Sequence, residues 1–413
     1  MWKRIHSKFL VFICFSFSVA FLISCNKISP PDFKDPVHGI IMKRAEQMAK
    51  IQWVPKNYIP FNYGEYKPGL LYTGVPYSSA KEMDKFVGHD VSFYTFLTAV
   101  NNPLSVLYSE DISKYPYNGT NCKCYYGTVC SMAVNYVLGV EYPYNTSTYP
   151  NHSSFEKIDN YTIDDLRYGD IMWQKGHVFL IIDVQKNAAN KVSHIVAFES
   201  RQYGTYIDHY DTETFINKCK EQNLIIYRYL DIDKQNNYVY LDSDKSVFLP
   251  KYNNDICTNR GDMVSYIENE DVHINILNSE YAYIELYKDD LLYSTKEIQG
   301  STMIYKSLPY GDYKARLTNK KNNKKSEYTY FEIISAQSTV VPNNDGYIVE
   351  LKSQNAIPEY IFTSSMTGGK NKIYPVDNSI MNIEITKASY PLIKVSYKGK
   401  YGRVSCNHYD TRL

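Results

Sequence analysis

The sequence predicts an α+β domain followed by one or two all-β modules. Residues 56–232 mix helical and strand-like hydrophobic patterns, and helical periodicity fades after Leu230. Beyond that point, short alternating runs lie between turns rich in Asn, Gly and Lys, a pattern typical of antiparallel sandwiches. At 413 residues, the chain is long enough for two or three domains with ordinary cores.

The first 24 residues are typical of an export signal. Three basic residues precede an apolar run over 9–23, which is too short to span a bilayer comfortably. The run ends in Leu-Ile-Ser-Cys, which resembles a bacterial lipobox with Cys25 as the acylated residue. We therefore expect residues 1–24 to be a lipoprotein signal peptide and the mature protein to be lipid-anchored in the bacterial cell envelope, facing the periplasm or the surface. The alternative is a plain secretory signal with a chance cysteine.

Charge and cysteine content exclude several classes of protein. Lys and Arg number 45 and Asp and Glu number 44, and loss of the three basic signal residues leaves 42 against 44. This balance gives no reason to expect nucleic acid as a partner. Six cysteines remain in the mature chain, too few for a disulfide scaffold. Because no metal, nucleotide or flavin motif stands out, we expect no cofactor and no bound metal.

Four segments follow the signal. Residues 25–55 are a tether and an N-terminal helix, because apolar positions between Val37 and about Gln52 have helical spacing. Residues 56–232 form the mixed domain, in which 81–100 are predicted to be helical. Residues 240–336 are predicted to be a β-sandwich module, and 337–413 a second, smaller β module. The segment "SLPYGDYKARLT" resembles the penultimate hairpin of immunoglobulin-like modules, which implies that type of sandwich.

One cysteine of the mixed domain lies where a helix starts. In "GTVCSMAVNYVLG", residues 127–139, the apolar side chains form a helical stripe and Gly139 stands at the expected C-cap. Thr128 is a reasonable N-cap, so Cys130 falls in the first turn, where the positive end of the helix dipole favours a thiolate. The alternative is a small buried core residue. Cys122 and Cys124 compete as nucleophiles but lie in a loop-like segment.

A histidine and a glutamate complete a candidate catalytic set. Strand-like runs over 177–184 and 192–199 flank the turn-like "KNAAN", so they predict an antiparallel hairpin. A turn centred near Ala188 places His177 opposite Glu199, while one register step would give that place to Ser200. A cysteine nucleophile needs an imidazole base and a polar group that orients the ring. Cys130, His177 and Glu199 supply those three roles.

Residues 60–232 resemble the NlpC-type papain-like cysteine peptidases, bacterial enzymes that cut peptidoglycan stem peptides. The resemblance depends on "GTVCSMAVNYVLG", "LRYGDIMWQKGHVFLIIDV", "HIVAFES" and "YTGVPYSSA". It implies a papain-like fold in which Cys130 is the nucleophile, His177 the base and Glu199 the orienting group. It also implies that Tyr77 is a polar neighbour of the reacting carbonyl and that the substrate is a peptidoglycan peptide.

The chain departs from that family at three places. Val129 stands where the family usually has an aspartate that holds the free amino end of the substrate, so that specificity does not carry over. Glu199 resembles the third residue of CHAP amidases more than the His, Asn or Gln usual in NlpC-type enzymes. Residues 78–124 form an insertion between Tyr77 and Cys130.

Three functions follow as hypotheses. The first is a lipid-anchored cysteine hydrolase that cleaves an amide bond in the stem peptide. The second is an N-acetylmuramoyl-L-alanine amidase of the CHAP type, which Glu199 suggests. The third is a catalytically inactive surface binding protein, which the β-rich C-terminal region and Val129 suggest.

Overall fold

The computed structural model describes residues 35–61, 64–79, 85–105, 125–234, 255–343, 346–365, 372–384 and 391–409. Four α-helices lie within these ranges: α1 (Pro36–Lys50), α2 (Phe93–Asn101), α3 (Cys130–Leu138) and α4 (Thr212–Glu221). Two short 3₁₀ helices span Tyr149–Asn151 and Ile163–Asp165. None of the described helices is long and apolar enough to cross a bilayer.

The same ranges contain twenty-five strands. Those before residue 235 are β1 (Gln52–Trp53), β2 (Ile59–Phe61), β3 (Gly64–Tyr66), β4 (Tyr72–Thr73), β5 (Phe155–Lys157), β6 (Asp170–Gln174), β7 (His177–Lys186), β8 (Val192–Arg201), β9 (Gly204–Asp211) and β10 (Ile225–Tyr229). Those of the middle region are β11 (Ile256–Thr258), β12 (Val264–Ile267), β13 (Val272–Ile276), β14 (Tyr283–Lys288), β15 (Leu291–Glu297), β16 (Thr302–Tyr305), β17 (Gly311–Thr318) and β18 (Thr329–Ile334). The last are β19 (Ala336–Pro342), β20 (Gly346–Ser353), β21 (Ile357–Ser365), β22 (Lys372–Pro375), β23 (Ile380–Glu384), β24 (Pro391–Lys398) and β25 (Arg403–Tyr409).

Helix α1 lies where the sequence predicts an N-terminal helix. The Asp35 side chain accepts a hydrogen bond from the Val37 N–H at 2.9 Å, and Pro36 occupies the first turn, where its missing N–H costs nothing. The buried residues Ile41, Ala45 and Met48 lie on one face, as the helical spacing requires. The helix ends at Lys50, two residues before the predicted end.

A six-stranded antiparallel sheet organises the first region of the chain. Its order is β5-β10-β6-β7-β8-β9. Helices α1 and α3 pack on it, and α4 packs against β8 and β9. Alternate residues of the central strands enter two separate cores: Val178 and Leu180 join the core of α1 and α3, whereas Phe179 and Ile181 join that of α4.

The remaining strands form two units, each with two sheets over a shared core. In the first unit, β11-β13-β16 faces β12-β18-β17-β14-β15 across a core that includes Ile274, Leu286 and Phe331. In the second, β19-β20-β23 faces β22-β21-β24-β25 across a core that includes Val349 and Val395. Alternation between core and solvent is clear in β14 and β17, whereas β11 is buried throughout and β15 is mostly exposed.

The helix predicted over 81–100 is shorter than expected. Residues 81–84 lie outside the described residues, Phe86–Val91 form bridges and a turn, and α2 starts only after its N-cap Ser92. Gly88 explains the turn, because its φ is +84° and a Cβ there would lie 2.5 Å from Met48 Cε. Helix α2 then docks on the middle unit through the Thr98 hydroxyl, which accepts the Asp262 N–H at 2.8 Å.

The predicted fold class was wrong. We expected a papain-like α+β domain followed by one or two immunoglobulin-like modules, but the described residues are predominantly β, with twenty-five strands and only four α-helices. The physical reason is that amphipathic segments such as 85–92 satisfy their backbone through turns and bridges rather than a helix. A helical hydrophobic pattern over so short a segment is therefore insufficient to predict a helix.

Candidate active site

The helix that carries the candidate nucleophile begins at that residue. Cys130 is the first residue of α3, and it is 4% exposed. Val129, not Thr128, is the N-cap, and its side chain makes no capping hydrogen bond. The first-turn N–H groups, at the positive end of the helix, therefore receive no hydrogen bond from the N-cap side chain. At the other end, Gly139 has the left-handed conformation that the sequence predicts for a C-cap, with φ +67°.

The segment before Cys130 is held on both sides. The Thr128 N–H donates to the Pro76 carbonyl at 2.9 Å, and the Thr128 carbonyl accepts the Ser78 N–H at 3.2 Å. On the other side, the Gly127 carbonyl accepts the Val87 N–H at 2.9 Å. A Cβ at Gly127 would lie 2.4 Å from the Pro76 oxygen, so only glycine fits between these segments. This packing fixes where α3 and its cysteine begin.

The structure brings His177 and Glu199 together. His177 Nε2 lies 2.7 Å from Glu199 Oε1. His177 is the first residue of β7, and Glu199 lies near the end of β8. The strand register places Leu180 opposite Phe198, two residues away from the direct His177–Glu199 pairing that the sequence predicts. A shift of two residues keeps both side chains on the same face, so they meet as diagonal neighbours.

The alternative orienting residue lies elsewhere. Ser200 is fully buried, and its hydroxyl donates to the Thr128 carbonyl at 3.5 Å. It therefore supports the segment before Cys130, whereas Glu199 contacts the imidazole. The one-residue uncertainty in the hairpin is resolved in favour of Glu199.

The imidazole of His177 interacts with both other members of the set. Burial lowers its pKa, but the Cys130 thiol and the Glu199 carboxylate outweigh burial and raise the pKa to about 9. Because Nε2 is engaged by Glu199, Nδ1 is the nitrogen left for the thiol. A carboxylate on Nε2 favours the tautomer that carries its proton there and leaves Nδ1 as a base. Cys130, His177 and Glu199 therefore have the connectivity of a nucleophile, a base and an orienting group.

Two cations stabilise the ionised form of Glu199. Its side chain is 2% exposed, with Lys218 Nζ 3.2 Å from Oε2 and Arg201 Nη1 3.6 Å from Oε1. Burial alone would raise the pKa of this carboxyl, but the hydrogen bond from His177 and the charge of Lys218 lower it to about 2. A buried carboxylate flanked in this way stays negative and supports a protonated imidazole.

Lys218 is a residue that sequence reasoning missed. It lies on α4, and its Nζ also donates to the Tyr210 hydroxyl at 2.7 Å and lies 4.5 Å from the centre of the Phe179 ring. Its side chain is 12% exposed, unusually low for a lysine. A buried lysine cannot be recognised from sequence alone, because its neighbours come from the packing of α4 on the sheet.

Of the remaining residues that the sequence singled out, the structure describes Tyr77 only. The backbone of Tyr77 forms a parallel bridge with Thr128, two residues before Cys130, so it lies beside the nucleophile segment. The role of its side chain at a reacting carbonyl stays a prediction. Cys25, Cys122 and Cys124 lie outside the described residues. Among the described residues, no cluster of three or more His, Cys, Asp or Glu side chains has the geometry of a metal site.

A cavity of about 220 Å³ lies at the start of α3, and Cys130, His177 and Glu199 are not among the residues that line it. Val129, Ser131 and Met132 line it from the start of α3, and Tyr360, Phe362 and Lys394 line it from the C-terminal β unit. The C-terminal strands thus form one wall of this cavity. An apolar cavity with a few polar groups is the usual form of a binding site for a small group.

Comparisons with known proteins place the chain in no family. No family model and no curated protein matches it. Among solved structures, it is similar to the fibronectin(III)-like modules of Clostridium thermocellum CbhA, with 11% identity, 35% of this chain and 86% of that chain covered, and a TM-score of 0.19. Domains A168–A170 of titin are similar at 8% identity over 60% of this chain and 94% of theirs, with a TM-score of 0.18. TM-scores this low carry no argument about fold or function.

Proposed function

We propose that this protein is an exported, lipid-anchored cysteine hydrolase that cleaves an amide bond in peptidoglycan stem peptides. The observation that supports the chemistry most directly is the contact of His177 with Glu199 at 2.7 Å, on an imidazole that also interacts with Cys130. The resemblance of the motifs to NlpC-type peptidases supports the substrate, and the signal-like N-terminus supports export.

The reaction proceeds through an acyl enzyme. His177 takes the thiol proton through Nδ1, and the Cys130 sulfur attacks the carbonyl carbon of the amide. The oxyanion lies near the uncapped N–H groups at the start of α3, where donors and the helix dipole stabilise it. His177 then gives its proton to the departing amine as the C–N bond breaks.

Hydrolysis of the acyl enzyme completes the cycle. His177 activates a water molecule, which attacks the thioester and releases a carboxylate and the free Cys130. Throughout, Glu199 holds the ring by Nε2 and stabilises its protonated form. Tyr77 adds a polar group beside the reacting carbonyl.

A digest of purified peptidoglycan tests this function. The wild-type protein and a Cys130→Ala variant are incubated with sacculi under reducing conditions, and released fragments are identified by mass spectrometry. We expect a new amine and a new carboxylate in the stem peptide with wild-type protein alone. Unchanged sacculi, or equal cleavage by Cys130→Ala, would contradict the proposal.

The position of the cut separates two kinds of hydrolase. Cleavage inside the stem peptide identifies a peptidase, whereas a freed lactyl carboxylate identifies an N-acetylmuramoyl-L-alanine amidase of the kind that Glu199 suggests. Both kinds of hydrolase would use Cys130, His177 and Glu199, so variants of these residues do not distinguish them. The position of the cleaved bond does.

A further inference from the structure

A charged cavity of about 160 Å³ lies where the first region of the chain and the two β units meet. The first region and the first β unit each supply an oppositely charged pair to its lining, and the second β unit supplies two cations. The charged lining residues are Lys85, Asp90, Arg260, Glu270, Lys394 and Arg403. Four cations therefore face two carboxylates, which is an excess of positive charge in a confined space.

The two arginines already have carboxylate partners. Arg260 binds Glu270 with both terminal nitrogens, at 3.0 and 3.1 Å. Arg403 binds Glu359, which lies outside the lining, with Nε at 2.5 Å, and it also donates to the His89 carbonyl. Such fork-like pairs hold the guanidinium groups in place and leave their charges largely balanced.

Lys85 is different, because it makes no hydrogen bond or ion pair with any other described residue. Arg260 and Lys394 repel its charge, whereas the carboxylates of Glu270 and Asp90 attract it. Burial and the charge of Arg260 lower the pKa of its ammonium group to about 8. An ammonium that has no partner among the described residues is costly in such a place unless it loses its proton or gains an anion.

We propose that this cavity binds the anionic group of a small molecule, a carboxylate or a phosphate, with Lys85 as its main contact. The anion supplies negative charge to a lining with more cations than carboxylates among the described residues, and it offers acceptors to the Lys85 ammonium. The proposal does not depend on the function proposed for Cys130.

The cavity adjoins the one at the start of α3. Asp90 and Lys394 line both this cavity and the one beside Val129 and Ser131. The anion has two possible sources, namely an acidic group of the substrate or a separate small anion.

Calorimetric titration of the whole protein with inorganic phosphate and with glutarate tests the site. We expect saturable binding of at least one anion, and a loss of affinity of at least about tenfold in Lys85→Met. The matched control is Lys306→Met, because Lys306 is exposed and lies outside the cavity. Absence of saturable binding, or equal affinity in Lys85→Met and wild type, would overturn the proposal.

Thermal unfolding without added anion shows whether Lys85→Met is as stable as wild type. Replacing an unpaired ammonium by an apolar side chain removes a desolvated charge, so Lys85→Met is expected to unfold at the same temperature as wild type or higher. A fall of several degrees would mean that Lys85 is already paired, and would contradict the proposal. Competition distinguishes the sources: an acidic stem peptide that displaces phosphate identifies a substrate group, and simultaneous binding identifies a separate anion.

Discussion

His177 Nε2 and Glu199 Oε1 lie 2.7 Å apart, although the two residues are diagonal rather than direct neighbours on adjacent strands. The imidazole also interacts with Cys130, the first residue of α3. The His177–Glu199 contact joins two strands, and the effect of Cys130 on the pKa of His177 links them to the start of α3. The predictions below test the roles of the three residues and of the groups around them.

Removal of the Glu199 charge should lower activity and the pKa of His177. In Glu199→Gln the imidazole keeps a hydrogen-bond partner but loses the carboxylate that helps to raise its pKa to about 9. We expect kcat to fall by about 10²-fold, since an orienting group acts through the base. NMR titration of His177 checks the pKa, and Glu213→Gln, at an exposed position of α4, is the control. An unchanged His177 titration would show that Glu199 has no such role.

Lys218 should act as a positioning residue for Glu199. In Lys218→Met the carboxylate loses a cation at 3.2 Å, so the pKa of Glu199 rises from about 2. We expect the acid limb of the pH–kcat/KM profile to move to higher pH and kcat/KM to fall by about tenfold. Lys220→Met, on the exposed side of the same helix, is the control. A fall in kcat/KM without a shift of the acid limb would indicate a purely structural role.

The stability of the protein should depend on pH through this pair. The raised pKa of His177 means that its contribution is fully present below the unfolded value of about 6.5 and is lost as pH rises toward about 9. The lowered pKa of Glu199 means that its contribution is present above about 4.3 and is lost as pH falls toward about 2.

The difference in Tm between wild type and His177→Gln, measured from pH 3 to pH 10, checks this dependence. It should be largest between about pH 4.3 and pH 6.5 and should shrink on both sides. A difference that stays constant across this range would contradict the ion pair.

Gly127 should be intolerant of any side chain. In Gly127→Ala the new Cβ would lie 2.4 Å from the Pro76 oxygen and 2.6 Å from Ser78 Cβ, so the segments on which Cys130 depends must separate. We expect a loss of about 1–3 kcal/mol in the free energy of unfolding, measured by urea denaturation, together with lower activity. Gly300→Ala is the control, because a Cβ there would meet no atom within 4 Å.

Local patterns predicted parts of the site that depend on nearby residues. The C-cap at Gly139 follows from helical spacing and cap chemistry, whereas α3 starts one residue later than the predicted N-cap Thr128 implies. The contact of His177 with Glu199 follows from the parity of a hairpin. The direct register was wrong by two residues, because bulges between β7 and β8 and a five-residue turn shift the pairing. Because the register shift is an even number of residues, the two side chains still lie on the same face of the sheet.

Features that depend on distant packing were not predictable. Lys218 reaches Glu199 only because α4 packs on β8 and β9. Lys394 lines the cavity at the start of α3 only because the C-terminal strands return to that helix. The predominance of strands over helices was also missed, since short amphipathic segments such as 85–92 fit a helix or a turn equally well.

The central claim is that His177 activates the Cys130 thiol. The most direct test is the rate of Cys130 alkylation by iodoacetamide as a function of pH, followed by peptide mapping, in wild type and in His177→Ala. We predict that Cys130 is labelled rapidly at about pH 6.5 and that His177→Ala slows this labelling by at least about tenfold. Slow labelling of Cys130 in both proteins, or equal rates in the two, would contradict the account and mean that the cysteine is a packing residue.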